Sequence, residues 1–182
     1  MKRGWILAGL VLGQAGCPTF PDDGYFYREG FQDCPTGCGW MRIAGAADNV
    51  IIADTLPGER GLQLRDEVTV SHTLEGVMFD SANRITGERL ALDAIVRCDV
   101  GARLDVQIAG TDELGMPQAF TPVLSLEPNW DRPRPSFSAL RGFSSADPAL
   151  VSLDTIVLTK TGRGVCEVDE IGILLNQFRF TD

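Results

Sequence analysis

The chain has 182 residues, 44% hydrophobic and 23% charged, a length and balance that fit one domain with a real core and exclude an intrinsically disordered chain. Twenty-five acidic against 16 basic residues give a net charge of -9. This excludes a nucleic-acid partner, because phosphate recognition needs a clustered Lys/Arg face.

Lys2 and Arg3 precede an uncharged stretch of 13 residues, Gly4 to Gly16, that carries Trp5, Ile6, Leu7, Leu10, Val11 and Leu12. A spanning helix needs about 20 apolar residues, so the segment reads as a cleaved export signal and not as an anchor. It closes on Gln14-Ala15-Gly16-Cys17, which resembles the lipobox of bacterial lipoproteins, with Gln14 where an aliphatic residue is usual. The resemblance implies that residues 1–16 are a lipoprotein signal peptide and that Cys17 becomes the lipidated N-terminus. Residues 17–23 are then a short tether and residues 24–182 a β-sandwich domain. The implied place is the bacterial cell envelope, on the outer membrane or cell surface, with the membrane as a partner through the lipid. Without Lys2 and Arg3, 14 basic residues face 25 acidic ones, a net charge of -11. Anionic headgroups repel such a domain, so the lipid does the anchoring.

Five cysteines are an odd number, and lipidation of Cys17 accounts for the leftover thiol. The other four, Cys34, Cys38, Cys98 and Cys166, suit an oxidising compartment. Pro35 and Gly37 favour a turn that closes Cys34 on Cys38. Cys98 is expected to pair with Cys166, a long closure worth about 4 kcal/mol in the chain-entropy description. A four-thiolate zinc site is the rival, disfavoured by export and by the lack of paired C-x2-C spacing.

Past the tether, period-two alternation dominates and no long helical period appears. Tyr25, Phe26 and Tyr27 alternate in direction if extended, and Trp40, just after the small cysteine loop, reads as core. Strands are expected at Gly61–Leu64, Glu67–His72 and Gly76–Phe79. In Arg89 to Val100, Leu90, Leu92, Ala94, Val96, Cys98 and Val100 share one face, opposite Asp93, Arg97 and Asp99. Leu104, Val106 and Ile108 repeat the pattern, and Gly101-Ala102 between the two runs predicts a hairpin. Further strands are expected at Ala119–Leu126, Leu150–Thr159 and Val165–Leu175, with turns at Pro57-Gly58, Asn83, Gly110, Gly115-Met116-Pro117 and Gly162-Arg163-Gly164. In the last run Cys166 and Val168 share one parity and Ile171 and Ile173 the other, which predicts a bulge near Asp169 and Glu170. Many strands without crossover helices read as an antiparallel β-sandwich.

Phe31-Gln32-Asp33, Cys38-Gly39-Trp40, the run Leu56 to Leu64 and Val168-Asp169-Glu170-Ile171-Gly172-Ile173 resemble the galactose-binding-like jelly-roll superfamily, to which many carbohydrate-binding modules belong. The resemblance implies an all-β jelly roll and a carbohydrate partner. It also implies a structural Ca2+ between the N-terminal segment and the last strand, for which Asp22, Asp23, Glu29, Asp33 and Asp169 are the candidate donors.

Catalytic chemistry is poorly supplied. His72, the sole histidine, shares a face with Val68 and Val70 and reads as a partly buried structural residue. No G-x-S-x-G, H-E-x-x-H or phosphate-binding loop is present. A glycosidase needs two convergent carboxylates, and the adjacent pairs Asp112-Glu113 and Asp169-Glu170 read as solvated charges. Sugar recognition uses exposed aromatic faces with polar groups beside them. Trp130, with Asn129, Asp131 and Arg132 in a proline-stiffened loop, is the expected site, the alternative being that Trp130 caps the sandwich. The expected function is that of a non-catalytic envelope lipoprotein that binds carbohydrate or, alternatively, another envelope protein. No cofactor is required. Replacing Cys17 with Ser is expected to abolish fatty-acid labelling and move the protein to the soluble fraction, and unchanged membrane retention would reject the anchor.

Overall fold

A computed structural model of the chain describes residues 25–33, 38–56, 59–78, 90–119, 124–126, 136–142 and 149–175. In chain order the strands are β1 (Tyr25–Glu29), β2 (Met41–Ala44), β3 (Val50–Leu56), β4 (Glu59–Arg65), β5 (Val68–Met78), β6 (Leu90–Cys98), β7 (Arg103–Thr111), β8 (Pro117–Ala119), β9 (Leu124–Leu126), β10 (Ser136–Gly142), β11 (Ser152–Thr161) and β12 (Val165–Leu175). They pair antiparallel in two sheets. The first has the order β10-β6-β12-β4-β3, with β1 also on β12, and the second the order β2-β5-β11-β7-β8, with β9 also on β7. This is the expected antiparallel sandwich.

The alternating runs build its core. Leu90, Leu92, Ala94, Val96 and Cys98 of β6 meet Leu104, Val106 and Ile108 of β7, all fully buried. Cys166, Val168, Ile171 and Ile173 of β12 are buried too. They reach the same side because the register against β6 shifts between Val168 and Glu170, the bulge that the change of parity marks. Cys98 and Cys166 oppose each other across these strands and are bonded as expected, with Cα atoms 4.1 Å apart. Cys38 is also disulfide-bonded, and Cys17 and Cys34 lie outside the described residues.

The runs on either side of Gly101 do not form the expected hairpin. Strand β6 belongs to the first sheet and β7 to the second. Alternation is the same whether two strands pair side by side or face each other across a core, so it fixes the buried side and not the sheet. The turn, closed by Ala102 N donating to Asp99 O at 3.0 Å, carries the chain between sheets, and Val100 within it is 71% exposed instead of completing the buried row. The expected turn between β11 and β12 also crosses between sheets. At this closed end Lys160 is fully buried and donates to Gly162 O at 2.6 Å. Burial lowers its pKa, while Asp66, Asp99 and Glu67 favour the ammonium.

The expected strands Glu67–His72 and Gly76–Phe79 are parts of one strand, β5. Thr155 faces Thr73 and Leu153 faces Val77, so β5 takes four steps where β11 takes two, and the excess is a bulge at residues 74–76. The expected strand Ala119–Leu126 is two short ones, β8 and β9, laid in tandem along β7. Strands β2, β3 and β10 have no counterpart among the expected runs; β3 pairs antiparallel with β4, and the expected Pro57-Gly58 turn lies outside the described residues. The Gly115 turn forms as expected, with Asp112 Oδ1 accepting from Leu114 N and Met116 N, each at 2.9 Å. Among the described residues no helix is long and apolar enough to cross a membrane.

Gly110 is not a turn residue but lies buried inside β7. A Cβ there would stand 1.9 Å from the Ser152 carbonyl oxygen of β11, which explains the glycine by close backbone approach. Gly110→Ala is therefore expected to destabilise the fold by about 2–3 kcal/mol, read as a lower thermal midpoint. An unchanged midpoint would show that β7 and β11 separate at no cost.

Candidate functional site

A cleft opens where β1 of the first sheet meets β2 and β5 of the second. Its volume is about 510 Å3. Strand β1 supplies Phe26 and Tyr27, the segment entering β2 supplies Gly39 and Met41, and β5 supplies His72 through Glu75. Two irregularities explain why neighbouring residues line one cleft. The register of β1 against β12 shifts between Tyr25 and Tyr27, which brings Phe26 and Tyr27 together, and the bulge of β5 does the same for Leu74 and Glu75.

Under the cleft, rings pack in series. Phe31 and Trp40 have centroids 6.4 Å apart, Trp40 and His72 5.4 Å, and His72 and Tyr27 4.8 Å. Trp40 is buried, as expected of it, and His72 is partly buried, also as expected. Gly39, in the left-handed region at φ 76°, passes so close to the imidazole that a Cβ would meet His72 Cε1 at 3.2 Å. Burial lowers the His72 pKa, opposed by Glu29, the Cys38 backbone and Glu75. Burial, then Glu29, raises the Tyr27 phenol well above its usual range, and the Trp40 indole N–H works weakly the other way. The cleft thus offers aromatic edges, a neutral imidazole, a hydroxyl at Thr73 and a carboxylate at Glu75. Sequence reasoning found Trp40, His72 and Tyr27 singly and missed the cleft, because strand pairing across the fold brings them together.

The other candidate residues lie elsewhere. Cys17, Asp22, Asp23, Asn129, Trp130, Asp131 and Arg132 fall outside the described residues. Glu29 Oε1 accepts from Phe31 N at 3.1 Å, Asp33 is exposed, and Asp169 forms an ion pair with Arg97 on the outer side of the first sheet. Among the described residues no three His, Cys, Asp or Glu side chains converge as a metal requires. Glu29, Asp33 and Asp169 do not form such a group among the described residues, and the other expected donors, Asp22 and Asp23, lie outside them. The Tyr25 hydroxyl donates to Asp93, and this bond with burial pushes its pKa up to about 12.

No protein-family model matches the sequence, and no curated protein is significantly similar to it. Solved structures do match. The CBM22-1 xylan-binding domain of Paenibacillus barcinonensis Xyn10C superposes with a TM-score of 0.54 at 17% identity, over 85% of this chain and 96% of that one. The C-terminal family 22 carbohydrate-binding module of Clostridium thermocellum Xyn10B gives 0.55 at 12% identity, over 88% of this chain and 98% of that one. The fold is a jelly-roll β-sandwich. At these identities the likeness is one of fold, and the jelly roll explains how two sheet edges come to flank one cleft.

The neutral His72 makes the stability of this jelly roll pH-dependent. Its folded pKa lies below the ordinary value of 6.5, so its stabilising contribution is present above that value and is lost as the pH falls through the lowered folded pKa. The thermal midpoint is expected to fall between about pH 7.5 and pH 5, and to fall less in His72→Gln. Parallel profiles for the two proteins would mean that the imidazole titrates alike in the folded and unfolded states.

Proposed function

We propose that the protein is a non-catalytic carbohydrate-binding module of the bacterial cell envelope, held at the outer membrane or cell surface by lipid on Cys17. The observation that carries the reading is the cleft between β1, β2 and β5. Phe26 and Tyr27 offer apolar surface to the C–H side of a sugar, while Thr73 and Glu75 supply hydrogen-bonding groups beside them. Support also comes from the fold, which is shared with modules described as xylan-binding and carbohydrate-binding. The loop of Asn129, Trp130, Asp131 and Arg132 is proposed as a second contact for the same ligand. A second reading, assembly with another envelope protein, draws on edge strand β2, where Met41 and Ile43 are each 59% exposed.

A glycan panel probed with the oxidised protein, with and without Ca2+, separates the two readings. Binding is expected to weaken about tenfold, or about 1.4 kcal/mol, in Phe26→Ala, and independently in Trp130→Ala. Binding that ignores Phe26 but needs Trp130 would move the site to the loop. No binding under either condition would favour the envelope-protein reading.

A further inference from the structure

We infer that the cleft selects its glycan by charge, taking uncharged oligosaccharides and turning away those that carry a carboxylate, with Glu75 as the specificity-determining residue. The inference rests on the carbohydrate reading and adds the class of sugar. Its ground is the set of charged groups around the cleft. Glu75 is the charged side chain among the described lining residues, and it is exposed. Glu29 lies close enough to favour the protonated forms of both Tyr27 and His72.

No described Lys or Arg lines the cleft. The cations on the neighbouring strands are engaged elsewhere. Arg28 pairs with Glu170 at 2.8 Å and lies over the Tyr25 ring at 5.0 Å, and Arg42 donates to the Gly45 carbonyl at 2.5 Å. His72 adds no positive charge at neutral pH, because burial disfavours its imidazolium. A sugar carboxylate entering here would meet one or two negative charges and no donor cation among the described residues, while a neutral hydroxyl can donate to Glu75 in a charge-assisted hydrogen bond. The net charge of -9 repels anions at longer range, but salt screens that contribution beyond about 8 Å at physiological ionic strength. Discrimination inside the cleft therefore falls to Glu75.

The test compares cellohexaose, xylohexaose and chitohexaose with the same oligosaccharides carrying one uronic-acid residue, by calorimetry at about 0.15 M salt, where the net charge of the chain is screened beyond about 8 Å. The intact protein is expected to bind a neutral probe at least about tenfold tighter than its acidic counterpart. Glu75→Gln should narrow that ratio and Glu75→Lys should reverse it. Both variants should keep the parent's thermal midpoint, because the side chain is exposed. A ratio near one in the parent, or one that Glu75→Gln leaves unchanged, would overturn charge selection and leave the carbohydrate reading standing. Binding of no probe of either kind would overturn both.

Discussion

Strand β12 is the constraint from which the cleft follows. It pairs with β6 from Cys166 to Leu175, but its other edge is divided between β4, opposite Val165 to Val168, and β1, opposite Ile171 to Leu174. The change of partner falls at the bulge between Val168 and Glu170. A strictly alternating strand would turn Ile171 and Ile173 outward once Cys166 and Val168 point inward. The inserted residue restores them to the core and bends the strand. Through that bend β1 is held apart from β4 and beside the second sheet, where Tyr27 meets His72.

The bulge is held by charge. Arg97 of β6 pairs with Asp169 and lies 3.7 Å from Glu167, two acids on either side of Val168. Gln63 of β4 adds a hydrogen bond to Glu167 at 2.8 Å. Glu167 is 1% exposed, and a buried carboxylate is tolerable only when paired, since removal of one partner from such a pair costs about 3–5 kcal/mol. A slip of β12 by one residue would bring Asp169 or Glu167 into the apolar core in place of Val168. The ion pairs thus penalise the wrong register at the place where the ladder is weakest.

The sequence reveals these two layers unequally. The change of parity between Val168 and Ile171 is visible along the chain because it is a local property, and so is the inward face of Cys98, which its partner Cys166 shares. The hairpin expected at Gly101 fails because Leu90 to Cys98 and Leu104 to Ile108 carry the same alternation as paired strands would, while the sheets they join are decided by β11 and β12, more than 40 residues away. Trp40 and His72 are each legible as buried residues. Their stacking is not, because it depends on β2 lying along β5. Glu75 had a signal that can be recognised afterwards: the alternation breaks between His72 and Gly76, where a strand bulges instead of ending.

A regular strand gives a cleft every second residue, so a site lined by consecutive side chains must be built where the ladder fails. The three strands around this cleft all show such failures: β1 between Tyr25 and Tyr27, β2 between Arg42 and Ala44, and β5 between Thr73 and Val77. The opposite pattern holds at the closed end, where Asp99 and Val165 exchange bonds at 2.8 Å and Lys160 is buried against the Gly162 carbonyl. There the backbone groups of Asp99, Gly162 and Val165 are satisfied by one another and by the side chains of Asp99 and Lys160. At the β1 and β2 edges the irregular ladders loosen the pairing and turn side chains toward solvent, a geometry that also guards an edge strand against pairing with another chain. The irregularities that protect this edge are therefore the same ones that shape the cleft, which opens here without exposing a flat, unpaired strand.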